Sequence, residues 1–118
     1  MTANRAIPLA AHGVFEIIAA PALIFAPFLL GFGAAAGAIS ILIGATLMGL
    51  ALATHGEQRT ISLSTHAAFD YLIGVVSIST GLALAFGSAP AVATAFLVGF
   101  GAAHMALTAS TRFSARGT

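Results

Sequence analysis

The sequence predicts an all-α membrane protein, specifically a four-helix transmembrane bundle built from two tandem helical-hairpin repeats. Of its 118 residues, 59% are hydrophobic and only 6% are charged. A soluble domain carries about 25% charged residues, so four arginines, three acids and no lysine cannot cover a water-exposed surface. The apolar residues fall into four long stretches, and a short histidine–carboxylate pattern occurs twice along them. We therefore expect one transmembrane domain over residues 1–118.

The four apolar stretches are residues 7–30, 34–54, 63–86 and 89–110. A bilayer core of about 30 Å requires roughly 20 apolar residues per helix, so each stretch can span it. Short uncharged turns at 31–33 and 87–90 predict two hairpins, with repeat one at about 7–55 and repeat two at about 61–110. Residues 55–60 form a polar loop, in which His55 is expected to be an ordinary exposed side chain. The polar tail, 111–118, is expected to fray at the membrane surface.

The arginines predict the orientation. Arg5, Arg59, Arg112 and Arg116 all fall on one side of an even number of spans. The positive-inside rule makes that side cytoplasmic, with both termini there. The net charge of +1 does not suggest a nucleic-acid partner, and the lack of cysteine excludes disulfides and thiolate ligands.

The duplicated pattern is His12-Gly13-Val14-Phe15-Glu16 and, 54 positions later, His66-Ala67-Ala68-Phe69-Asp70. Extended without gaps, this offset predicts an internal duplication whose hairpins are parallel repeats about an axis along the membrane normal. At this offset His104 matches Leu50, so it has no counterpart in repeat one.

Small residues are expected to mediate the helix packing, because lipid supplies no hydrophobic drive for helices to associate. The candidates are Gly37, Ser40, Gly44, Gly49 and Ala53 in span two, Gly74, Ser77 and Gly81 in span three, and Gly99 and Gly101 in span four.

Each histidine–carboxylate pair is spaced by one helical turn, so both side chains leave the same helix face. Ionisable groups inside a membrane are costly and usually functional. Because the spans alternate in direction, all four histidines are expected at the cytoplasmic end, with the two acids one turn deeper. The sequence predicts a ligand-binding or proton-handling site made of His12, Glu16, His66, Asp70 and His104, and no catalytic residue.

Three interpretations of this layer are open. The pairs could be structural, each carboxylate offsetting the burial of its histidine. They could bind a ligand, either a transition-metal ion on His12, Glu16, His66 and Asp70 or a haem or other tetrapyrrole. They could relay protons. The corresponding functions are a metal- or haem-binding membrane protein, a non-catalytic accessory or scaffold subunit of a larger membrane complex, and a small proton-coupled transporter or channel. The expected partners are the lipid bilayer and either a homodimer or a larger complex; nothing favours an enzyme.

The chain also resembles the SPW-repeat family of small bacterial membrane proteins, whose units of two membrane helices carry a Ser-Pro-Trp signature late in the first helix. Ala26-Pro27-Phe28 stands at that place here, and it keeps the proline and an aromatic residue but neither flanking residue. In the second unit Thr80-Gly81-Leu82 lacks the proline. The resemblance implies a multi-pass protein of the bacterial inner membrane made of two hairpins, and it implies no site residues.

Overall fold

The protein is an all-α four-helix bundle, as the composition and the four apolar stretches predict. The computed structural model describes residues 5–55 and 59–114, with helices α1 (Leu9–Leu30), α2 (Ala34–His55), α3 (Leu63–Ala85) and α4 (Ala91–Ala109). All four are long and apolar enough to cross a membrane. Large apolar side chains point outward, with Phe28 73% and Phe86 93% exposed. This apolar exterior is what a lipid environment requires, so the chain is a multi-pass membrane protein.

Local chemistry explains where the helices begin and end. Helix α1 ends at Gly31, whose φ of 67° lies in the left-handed region and whose N–H donates to the carbonyl of Pro27. Glycine reaches that conformation without strain, which makes it a common helix terminator. Helix α3 begins after Ser62, whose Oγ accepts a hydrogen bond of 3.1 Å from the backbone N–H of Thr65. This is the usual role of serine at a helix N-terminus.

The two helices of each hairpin touch through glycine. A Cβ placed on Gly44 would lie 2.8 Å from the carbonyl oxygen of Ala20, and one placed on Gly101 would lie 2.7 Å from that of Gly74. The backbones therefore meet directly, and small-residue packing is confirmed at these positions. The prediction of close packing is wrong for Gly49 and Gly99, because those residues face outward and a Cβ there would meet nothing within 4 Å.

A buried serine further joins each hairpin. Ser40 on α2 donates to the carbonyl of Leu23 on α1 at 2.6 Å. Ser77 on α3 donates to the carbonyl of Leu97 on α4 at 2.7 Å. In lipid such hydrogen bonds between helices hold the pair in register.

The first helices of the two hairpins are separated by a different number of residues from the second helices. Helix α3 begins 54 residues after α1, but α4 begins 57 residues after α2. The reason is that α3 and the turn after it are together three residues longer than α1 and its turn. The ungapped match is therefore wrong beyond the first helix, and His104 corresponds to Leu47 rather than Leu50. At the offset of 57 residues, buried positions in α2 correspond to buried positions in α4 and in the segment directly after it. The equivalent residues are Ala36 and Ala93, Gly44 and Gly101, Leu47 and His104, and Thr54 and Thr111. A common origin of the hairpins stays a prediction.

The chain does not fray directly after α4. Thr111 is fully buried and pairs with Ile7 in a short parallel bridge. The backbone N–H of Ile7 donates to Ser110, and that of Arg112 donates to Ile7, both at 2.9 Å. The predicted fraying is thus wrong for residues 111–112, because backbone hydrogen bonds tie them to the segment before α1. Residues 115–118 of the predicted tail, with Arg116, lie outside the described residues, as do residues 56–58 of the polar loop.

Candidate metal centre

Polar side chains from all four helices meet at one end of the bundle. His12 and His66 lie near the starts of α1 and α3, whereas His55 and His104 lie near the ends of α2 and α4. Because the helices alternate in direction, these four positions share one end, which is also the end of the N- and C-terminal segments. The structure thus brings together every residue of the predicted site; His12, Glu16, His66, Asp70 and His104 are all fully buried.

Four of these side chains form a closed ring, called here the His/carboxylate ring. His12 Nε2 lies 3.0 Å from Glu16 Oε2 and 2.9 Å from Asp70 Oδ2. His66 Nε2 lies 3.0 Å from Asp70 Oδ2 and 3.1 Å from Glu16 Oε1. Nitrogen and oxygen atoms therefore alternate, and one such atom from each residue lies within 4.8 Å of all the others. Each hairpin supplies one histidine and one carboxylate.

Threonine hydroxyls hold the far side of both ring histidines. Thr111 Oγ1 lies 2.8 Å from His12 Nδ1, and Thr54 Oγ1 contacts His66 Nδ1. Thr111 donates its own proton to the carbonyl of Leu107 at 2.7 Å, so its oxygen accepts from the Nδ1–H of His12. In a neutral imidazole, a proton on Nδ1 leaves the lone pair on Nε2, pointing into the ring.

Both threonines escaped the sequence-based prediction. Each belongs to the hairpin opposite to the histidine it holds, so no local spacing joins the two. The available signal is that Thr54 and Thr111 match at the offset of 57 residues, which a comparison restricted to 54 does not reveal.

In the ring, histidine nitrogens and carboxylate oxygens face one another, and both can act as hydrogen-bond acceptors. The Nε2 lone pair of a neutral His12 points at ionised carboxylate oxygens, which can only accept. At 2.9–3.0 Å these groups repel unless a proton or a cation lies between them. The chain has no lysine, and among the described residues no arginine pairs with Glu16 or Asp70. In the part of the chain that the structure describes, the positive charge that balances the two carboxylates can come only from protons on the histidines or from a bound cation.

His104 holds the outer oxygen of Asp70. Its Nε2 lies 3.1 Å from Asp70 Oδ1 and 3.7 Å from Glu16 Oε2. Its ring lies between Phe15 and Phe100, with centroids 6.1 Å and 5.3 Å away and nearly parallel planes. The corresponding residue of the first hairpin is Leu47, so His104 makes the two halves of the site unequal.

His55 closes the site at the end of the bundle, contrary to the expectation of an ordinary exposed side chain. It is only 16% exposed, and its Nε2 lies 3.4 Å from Glu16 Oε1. Neither atom has a hydrogen-bond partner among the described residues. Phe113 covers the site nearby, with its ring centroid 5.1 Å from that of His12 and 5.9 Å from that of His66.

The dimensions of the ring match those of a metal ion's coordination shell. A square with edges of about 3.0 Å has its centre about 2.1 Å from each corner, within the usual range for bonds from zinc to nitrogen and oxygen. Tetrahedral coordination needs all six distances between ligand atoms at about 3.4 Å, so neighbouring atoms of such a square would have to move slightly apart and opposite atoms closer together. The Nε2 atoms of His12 and His66 face carboxylate oxygens at 2.9–3.1 Å in a fully buried site, so the described residues leave no space for a macrocycle on these nitrogens.

The function has to be inferred from this geometry, because comparisons with known proteins found no match. No protein-family model, no curated protein and no solved structure matches the chain.

Proposed function

We propose that this is a small integral membrane protein that binds one divalent transition-metal ion in the His/carboxylate ring. The observation that carries the proposal is the alternation of histidine nitrogens and carboxylate oxygens around the ring, with neighbouring atoms 2.9–3.1 Å apart and Glu16 contributing both of its oxygens. When the histidines are neutral with the proton on Nδ1, the lone pairs of these atoms point at one another. A cation at the centre turns four mutually repelling acceptors into four ligands. Two carboxylates also balance the charge of a divalent ion, which makes burial of the whole group far less costly.

The ligand types narrow the choice of ion. Imidazole suits zinc, copper, iron and nickel, whereas carboxylate also suits manganese. Cu(I) prefers sulfur ligands, and no cysteine exists in the chain. The hydroxyl partners of His12 and His66 support the same proposal, because metal-binding histidines almost always donate their other ring N–H to an oxygen.

The arginines support a cytoplasmic location for this end of the bundle, and the two-hairpin architecture agrees with the resemblance to bacterial inner-membrane proteins of the SPW-repeat type. The exposed apolar side chains make lipid the immediate partner. Assembly as a homodimer or within a larger complex is a further proposal that the exterior would permit.

The test is metal analysis of the protein purified in detergent without chelators, followed by titration with Zn²⁺, Mn²⁺, Fe²⁺, Co²⁺ and Ni²⁺. We expect one ion per chain, lost in His12→Ala, His66→Ala and Asp70→Asn. Tyr71→Phe is the matched control, since Tyr71 is adjacent in sequence but 38% exposed on the outer surface. Failure of the unsubstituted protein to bind any of these ions, by analysis and by titration, would refute the proposal.

Proton handling is the second candidate, and the same short distances favour it. Protons shared between Asp70, Glu16 and the ring histidines would also relieve the repulsion between facing acceptors. This function predicts proton-coupled uptake or proton flux in liposomes that Asp70→Asn abolishes, in a protein that carries no metal. A protein with neither metal nor proton flux would favour the accessory-subunit function.

A further inference from the structure

The two carboxylates of the ring differ in the contacts that they make with residues outside the ring. The outer oxygen of Asp70 accepts from His104, which is fully buried and stacked between two phenylalanines. The Oε1 atom of Glu16 accepts no hydrogen bond from the described residues; within the ring it lies 3.1 Å from His66 Nε2, and on its other side His55 Nε2 faces it at 3.4 Å. One carboxylate of the ring is therefore held by a hydrogen bond from outside the ring, whereas the other, Glu16, has the His55 imidazole facing one of its ring oxygens.

His55 connects the Glu16 side of the ring to the surface. The ring residues and His104 are completely buried, whereas the His55 side chain is 16% exposed. Its ring centroid is 5.2 Å from that of His66 and 6.2 Å from that of His12. Among the described residues of the site, His55 is thus the histidine that can meet an ion from outside and still lie within reach of the ring.

Gly13 provides the space in which His55 lies. A Cβ on Gly13 would fall 2.8 Å from both Cγ and Nδ1 of the His55 ring. The corresponding residue in the second hairpin is Ala67, which follows His66 as Gly13 follows His12. An alanine at residue 13 would force the imidazole to move, so the placement of His55 depends on this glycine.

We infer that His55 and the Oε1 atom of Glu16 form a transfer position through which a divalent ion enters and leaves the His/carboxylate ring. This inference rests on the metal binding proposed above and adds the route of exchange. An ion first binds His55 and Glu16, then exchanges His55 and its remaining water ligands for His66, His12 and Asp70. Because Glu16 is shared by both positions, the ion never loses its carboxylate partner on the way.

The experiment measures rates as well as affinity, with Zn²⁺ as the probe. Loading of the metal-free protein in detergent is followed by stopped flow with a fluorescent zinc chelator, and release is followed after adding excess chelator. His55→Ala should slow both rates by about tenfold or more, equivalent to about 1.4 kcal/mol or more in the barrier, while stoichiometry and equilibrium affinity stay close to those of the unsubstituted protein. Gly13→Ala, which keeps the imidazole but displaces it, should slow both rates in the same way.

Arg112→Ala is the matched control, because Arg112 is exposed and holds the place in the second hairpin that His55 holds in the first. It should leave both rates unchanged. Unchanged rates in His55→Ala and Gly13→Ala would overturn the transfer role while leaving the metal site intact. Faster release with unchanged loading would also overturn it, since His55 would then be a ligand of the bound ion. If the unsubstituted protein binds no Zn²⁺, the proposed function itself fails, which is a distinct result.

Discussion

Replacing Thr111 with valine removes one hydroxyl from behind the metal centre and leaves the four ring ligands in place. The Thr111 oxygen accepts the Nδ1–H of His12 at 2.8 Å, because the hydroxyl proton is already donated to Leu107. That bond keeps the proton on Nδ1 and the lone pair of Nε2 directed at the ion. Valine has a similar shape but no acceptor, so the Nδ1–H of His12 would be buried without a partner.

The expected loss of metal affinity is about 10- to 100-fold. Removing a partner of a buried donor costs about 1–3 kcal/mol, and each 1.4 kcal/mol changes a dissociation constant about tenfold. Outer partners of metal-binding histidines typically contribute about 10- to 100-fold in affinity, so the two estimates agree. Thr54→Val should also lower the affinity, since Thr54 Oγ1 contacts Nδ1 of His66.

Thr108→Val is the control, measured by competitive Zn²⁺ titration in detergent alongside Thr111→Val. Thr108, in the last turn of α4, is also buried, and its hydroxyl also donates to a carbonyl one turn earlier, that of His104, at 2.8 Å. It contacts no ring nitrogen, so its substitution should leave the affinity nearly unchanged. Equal affinities for Thr111→Val and Thr108→Val would refute the idea that the hydroxyl orients the ligand.

Three further predictions concern packing, topology and pH. Gly44→Ala should destabilise the protein by about 1–3 kcal/mol in thermal unfolding, because its Cβ would meet the Ala20 carbonyl; Gly49→Ala, with open space, should not, and equal losses would contradict the packing argument. In this cysteine-free chain, single cysteines at Ser88 and Arg59 should be labelled by an impermeant reagent from opposite membrane faces, and labelling from one face would exclude the four-span topology. Metal affinity should fall from about pH 7.5 to about pH 5.5, because protons compete for the imidazoles; an affinity independent of pH would argue against histidine ligands.

Much of the fold could be predicted because membranes restrict structure severely. Four apolar stretches of spanning length leave few alternatives to a helical bundle, and alternation of direction brings His12, His55, His66 and His104 to one end. The detailed register could not be predicted, because small residues recur often enough in such helices to match at several offsets. The error of three residues in the second helix of the hairpin concealed the correspondence of Thr54 with Thr111.

The candidate site was predictable to the level of which residues take part. Ionisable side chains are rare in apolar helices and are therefore easy to recognise in the sequence. For this reason Glu16 and Asp70 could be predicted as site residues together with their histidines. The sequence did not reveal that the two threonines hold the ring histidines. It also did not reveal that His55 belongs to the site rather than to an exposed loop. Both depend on contacts between separate helices, across distances in sequence that no local pattern encodes.

The sequence by itself determined a four-span helical membrane protein with its histidines and two carboxylates gathered at one end. It could do so because helix length, apolar content and chain direction are properties of single segments. Only the tertiary structure decided that Glu16 and Asp70 alternate with His12 and His66 around one point. It also decided that the histidines are held from the opposite hairpin and that only one carboxylate of the ring is held by a hydrogen bond from outside it. These features arise where two hairpins meet, and the register of that contact is set by close backbone packing at glycines such as Gly44 and Gly101.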